Sequence, residues 1–187
     1  MTKIAEIKYR LVSLAMRFKR DRSGMAAIEF VFIVPLMLVI FFGTIELSNG
    51  VAADRKVTIT ARTLSDLVSQ GVKVTNQDMT NFFTMGAAIM TPYSGTPMTL
   101  RVSAVNINGS GQATVAWSDG QNVAARAVGS AVTIPSGLLV NNTQLIFSEI
   151  TYTYTPVVGH VMKTAVTLSD VCYTRPRQST TVTRSAT

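Results

Sequence analysis

The sequence predicts an α+β protein, with a long N-terminal transmembrane helix that extends into an exported domain holding a second helix and an antiparallel sheet of about four strands. Three observations predict it. An apolar run over residues 25–47 follows a basic cluster. Apolar residues then recur at steps of three and four to about residue 70, and beyond Pro97 the period changes to two. The resulting divisions are a basic cytoplasmic leader over 1–24, a transmembrane helix over 25–47, an amphipathic continuation over 48–70 and an exported head over 71–187.

The leader carries seven of the 17 Lys and Arg residues (Lys3, Lys8, Arg10, Arg17, Lys19, Arg20, Arg22) against Glu6 and Asp21. The net charge of +7 therefore belongs mainly to the N-terminus, and the rest of the chain lacks the basic-aromatic face that grips a nucleic acid backbone. Ile4, Ile7, Leu11, Leu14 and Phe18 fall at helical spacing among the cations. Two readings fit this: an amphipathic helix on the anionic inner leaflet, or a long n-region of a signal sequence.

About 20 residues at 1.5 Å rise cross a ~30 Å hydrocarbon layer, so residues 25–47 are long enough to span it. The cationic flank lies before the run, which by the positive-inside rule puts the N-terminus in the cytoplasm and the head outside. Pro35 lies inside the span and removes the amide that would bond the Val31 carbonyl, predicting a kink or local unwinding.

Glu29 is the anomaly of this run. A carboxylate in hydrocarbon costs about 2.5 kcal/mol or more on insertion scales, less near the interface. Glu29 either sits at the headgroups or has a partner. Were the chain cut between Gly24 and Met25, the new Met25 ammonium would lie about one helical turn from the Glu29 carboxylate. Two subunits offset by that turn would then pair the opposite charges where neither is comfortable alone.

Past the span, Val57, Ala61, Leu64 and Val68 keep the apolar stripe through "RKVTITARTLSDLVSQG", ending near Gly71, with Gly50 a point of possible interruption. "TNQDMTNFFTMGAAIM" reads as a second helix capped by Thr75 or Asn76, offering Phe82, Phe83, Ile89 and Met90 for packing. "MTLRVSAVNI" alternates through Met98, Leu100, Val102 and Ala104, and "QATVAWSD" through Ala113, Val115 and Trp117, with "NGSG" as a hairpin between them. "QLIFSEITYTYTPVV" places Ile146, Ile150, Tyr152 and Tyr154 on one face, and "KTAVTLSDVCYTRP" supplies a fourth strand. "VTIPSGLLVNNT" reads as loop.

The order of basic cluster, Gly24, four mostly apolar residues, Glu29, Phe30 and apolar span resembles the prepilin-peptidase motif of type IV pilins in its tight-adherence (Flp) variant, where an aromatic follows the Glu. "RSGMAAIEFVFIVPLMLVIFFGTIEL" is similar to TadE-like pseudopilins in particular, and "SEITYTYTPVV" and "YTRPRQS" resemble their C-terminal half. The resemblance implies processing at Gly24 and Met25 by a membrane prepilin peptidase. It also implies an assembly role for Glu29 and Phe30, and partners among other pilins or pseudopilins and pilus assembly membrane proteins. It puts the protein in the bacterial inner membrane with a periplasmic head, serving pilus assembly, secretion and adhesion.

Other chemistry has little to stand on. The lone His160 offers no triad or metal cluster, and Cys172 has no second cysteine to bridge. No phosphate loop, zinc spacing or dinucleotide fingerprint occurs, so the expectation is a non-enzyme without cofactor or metal. Asn108-Gly109-Ser110 is a sequon but also a hairpin turn, and Arg175, Arg177 and Arg184 make a basic tail, solvated or facing an acidic partner. Two alternatives compete: an uncleaved single-span protein displaying a binding or sensor module, and a domain released at Val51-Ala52-Ala53 by signal peptidase.

Overall fold

The computed structural model describes residues 23–156 and 164–186, together with helical positions 10, 13, 14, 16, 17 and 19 of the leader. Ile4, Ile7, Leu11 and Phe18 of the expected leader stripe, and His160, lie outside the described residues. The chain divides into two units, Met1–Ile45 and Glu46–Thr187.

One helix, α1 (Ser23–Ser69), accounts for both the expected span and its continuation, and Gly50 does not interrupt it. It runs through Pro35 without a break in helix assignment. In the second unit its apolar stripe is the spine of the core: Ala53, Val57, Ala61, Leu64 and Val68 are all fully buried. The helix stops where Gly71 turns back. A Cβ there would lie 3.2 Å from the Lys73 carbonyl oxygen, and the Gly71 amide returns to Val68 O at 3.2 Å.

A two-residue strand, β1 (Lys73–Val74), leads into α2 (Asn76–Ile89). Thr75 caps α2 with a reciprocal capping box: Asp78 N donates to Thr75 Oγ1 at 3.2 Å, and Thr75 N donates to Asp78 Oδ2 at 2.9 Å. Met79, Phe83 and Met90 are buried, and Phe82 packs at the edge of the same cluster. Gly86 lets α2 approach closely, since a Cβ there would lie 3.3 Å from both Leu100 Cδ1 and Thr60 Cγ2.

The sheet consists of β2 (Met98–Ile107), β3 (Ala113–Gln121), β4 (Thr143–Tyr154) and β5 (Val166–Thr174), in the order β3-β2-β4-β5 with every pair antiparallel. Its inner face, with Met98, Leu100, Val102, Ala104, Ile146, Ile150, Tyr152 and Tyr154, packs against the α1 stripe and α2 in one core cluster. The β2–β3 hairpin closes at Gly111, whose φ of +77° suits glycine, while Asn108 Oδ1 accepts from the amides of Ser110 and Gln112. The sequon asparagine thus has a turn role.

One expectation needs correcting. Ala113, Val115 and Trp117 do not share a face, because a bulge at Ala116 lets Trp117 pair with Ala104 and Val115 with Val105. Trp117 therefore joins the inner core, whereas Ala113 joins Val105, Ile107, Ile134, Leu145 and Phe147 in a second cluster. The loop after β3, which includes a short 3-10 turn at Ser136–Leu138, supplies part of that second cluster.

The basic tail is another correction. It is neither simply solvated nor left for a partner: β6 (Thr183–Arg184) pairs in parallel with β1, and Val182 is fully buried. Trp117 Nε1 donates to Val182 O at 2.8 Å, and Arg184 grips both oxygens of Asp119 at 2.7 and 3.1 Å. Arg177 forms an ion pair with Asp66, and its amide donates to the terminal α1 carbonyl of Ser69 at 2.9 Å.

Candidate functional site

The first turns of α1 carry the residues that the sequence marks for processing, assembly and kinking. Gly24, Met25, Glu29, Phe30 and Pro35 are helical and exposed, with Met25 63% and Phe30 67% accessible. A Cβ on Gly24 would meet nothing within 4 Å, so no packing among the described residues calls for glycine there. Glu29 follows Met25 by four residues, which on a helix is one turn and about 6 Å of rise. Phe30 points about 100° away from Glu29 around the axis.

The surrounding surface is almost wholly apolar. Ile28, Val31, Phe32, Ile33, Leu36, Met37, Leu38, Val39, Ile40, Phe41 and Phe42 are all exposed, and the described residues hold one helix long and apolar enough to cross a membrane. Leaving such a surface in water costs about 25 cal/mol for each Å² of apolar area, so it calls for lipid or other helices around it. The single hydroxyl near its end is satisfied internally, Thr44 Oγ1 donating to Ile40 O at 2.8 Å. This geometry brings the processing and assembly candidates onto two adjacent helical turns, with Pro35 beyond them.

A second carboxylate was missed by the sequence reading. Glu46 closes the apolar run yet is 1% exposed, at the beginning of the second unit. Around it, Tyr93 Oη donates to Asn49 O at 3.0 Å, and the Tyr93 and Tyr154 rings meet edge to face at 6.1 Å. Tyr154 lies against Gly50, where a Cβ would be 3.7 Å from its Cε1. Burial pushes the Tyr154 phenol up, and Tyr93 and the Glu46 carboxylate add to the shift. The only sequence signal was a lone acid in "GTIEL", indistinguishable from an interfacial charge.

Elsewhere, chemistry is sparse. Among the described residues no group of three or more His, Cys, Asp or Glu side chains could hold a metal ion. Cys172 is half-buried on β5, and burial pushes its thiol up, away from the reactive thiolate, against smaller opposing effects of Ser65 and Arg62.

Fold and exposed helix together define a class: an α+β head carried on a helix able to serve as a single membrane span. Residues 24–65 match the family model of TadE-like proteins, so this stretch of the chain is similar to that family. The matched segment begins at Gly24 and includes Glu29, Phe30, Pro35 and the first part of the buried stripe. "SEITYTYTPVV" and "YTRPRQS" lie outside it. No curated protein and no solved structure matches the chain.

Proposed function

We propose that the protein is a minor pseudopilin of a tight-adherence (Flp) pilus assembly or secretion system, with a structural role and no catalytic turnover. The observation that carries this reading is the TadE-like match, which falls on a helix whose apolar surface is left exposed from Met25 to Ile45. In this reading the helix sits in the bacterial inner membrane, with the leader in the cytoplasm and the head in the periplasm. A prepilin peptidase cuts after Gly24. The Met25 ammonium so created pairs with Glu29 of an axially offset neighbour, and α1 packs with pilins, pseudopilins and the membrane proteins of the assembly machinery.

Exposure of Glu29 among apolar residues supports the pairing: an isolated carboxylate in that setting is costly, and an opposite charge one turn away on another subunit offsets the cost. Glu29→Gln keeps size and shape and removes the charge. The variant is expected to insert as the wild type does and to lose at least about tenfold in recovery with pilus components purified from native membranes, about 1.4 kcal/mol of coupling. Recovery equal to wild type would show that the carboxylate is no assembly contact.

A further inference from the structure

The two edges of the sheet are treated differently. Along β3 the following loop folds back: Val115 N donates to Ser130 O, Gly129 N to Val115 O and Val132 N to Ala113 O, at 2.8 to 3.0 Å, with an isolated bridge between Thr114 and Ala131. That edge is covered by backbone bonds from Ala113 to Val115, and beyond the bulge by the same loop, whose Arg126 amide donates to Ser118 Oγ and whose Val123 lies against Gly120. β5 pairs only with β4, and among the described residues nothing pairs with its other side. Its nine residues include one charge, Asp170, and neither proline nor bulge, so it lacks most of the devices that close a sheet edge.

The register tells which atoms this edge offers. Val171 faces Glu149, but its amide donates to the Asp170 carboxylate at 2.7 Å instead of into the ladder. Antiparallel bonding alternates, so Thr167, Ser169 and Tyr173 turn their amides and carbonyls outward with Val171. Asp170 shields one of these donors while the edge is unoccupied. Beside the strand runs a groove of about 430 Å³, lined by Arg62 and Leu67 of α1 and by Cys172 and Thr174 of β5. Asp66 in this groove is already paired with Arg177, whereas Arg62 forms no salt bridge among the described residues, leaving one surplus positive charge.

Strand direction narrows the occupant. Ser148 reaches Ala61 O, Thr174 reaches Ser65 O and the Arg177 amide reaches Ser69 O, so α1 within the head advances in the same direction as β5 and its extension. An antiparallel β5–β5 pair would turn a second copy end for end, with α1 entering the two heads from opposite sides. Glu46, the first residue of each head, would then lie at opposite ends of the pair, an arrangement that copies anchored through the preceding residues in one membrane do not favour. A parallel β5–β5 pair under two-fold symmetry sets identical residues level, amide against amide, whereas parallel bonding needs a one-residue stagger. In shared orientation β5 would otherwise meet β3 of the next copy, and that edge is covered.

We infer that the β5 edge receives a strand from a different exported subunit, presenting an acidic side chain to Arg62. Thr167, Ser169, Val171 and Tyr173 supply the backbone bonds, and Arg62 selects the charge. The inference rests on the membrane-anchored pseudopilin reading, through the common orientation of neighbouring copies.

The test compares amide hydrogen exchange in the full chain purified alone in detergent with exchange in its assembled complex from native membranes. The amides of Thr167, Ser169, Val171 and Tyr173 are expected to exchange at least about tenfold more slowly in the complex. Val171→Pro removes an outward amide without touching the β4 ladder, so its thermal midpoint should match wild type while the subunit bound at β5 is lost. Ser169→Lys serves if the proline variant is unstable, and Arg62→Glu should lose the same subunit. Equal exchange in both preparations, or a folded edge variant that keeps every subunit, overturns the inference. So does protection already present in the purified chain when it self-associates, which would assign the edge to a second copy. Subunit loss in Glu29→Gln with full retention in the edge variants leaves the pseudopilin reading standing and the edge contact refuted; the reverse pattern refutes the Glu29 pairing and supports the edge contact.

Discussion

Thr75 shows how much one side chain can set. It receives the Asp78 amide and gives its own amide and hydroxyl to the Asp78 carboxylate, closing the turn at which α2 begins. Thr75→Ala should lower head stability by about 1 kcal/mol in urea unfolding. The Asp78 carboxyl is held below its usual range, first by the Thr75 amide and then by the Thr75 hydroxyl. A depressed folded value means stability present above the ordinary carboxylate pKa and lost as pH falls through the folded one. The gap between wild type and Thr75→Ala should therefore narrow below about pH 4. The sequence narrowed this cap to Thr75 or Asn76, and the pairing with Asp78 three residues on selects Thr75. Glu46 was not legible: it is buried close enough to Tyr154 to raise that phenol, and Tyr154 is distant in sequence. Arg184 was read as tail charge because its partner, Asp119, lies on another strand.

At the scale of elements, α1 combines two environments. From Met25 to Ile45 its large apolar side chains other than Val34 are exposed, and from Ala53 to Val68 one stripe is fully buried beneath the sheet. Leu64 sits in the middle of that stripe, so Leu64→Ala should cost about 2 to 5 kcal/mol and lower the melting temperature of the head. Loss of less than about 1 kcal/mol would mean that the helix is not the spine of the core. The stripe, α2 and all four long strands were legible because each carries a sustained period of its own. The Ala116 bulge was not, since an extra residue reverses the facing of Trp117 relative to Val115 without altering their spacing in sequence. The β1–β6 pair was missed for a different reason: two residues are too few to show alternation, and their pairing joins residues about 110 apart.

For the whole molecule, the described head has a closed core, a tied-down tail and one covered sheet edge, while the N-terminal half of α1 is left without cover of its own. That division is consistent with a chain anchored by its helix. The sequence carried this division through the basic leader, the apolar run and the change of period at Pro97. It did not carry the open β5 edge, which emerges only from strand order. The central claim is that the helix is made ready for assembly by removal of the leader. Its most direct test is the intact mass and N-terminal sequence of the protein recovered from the membranes of its native host. The account predicts a mature chain that begins at Met25; a chain still beginning at Met1 would contradict it and leave an uncleaved, anchored head in its place.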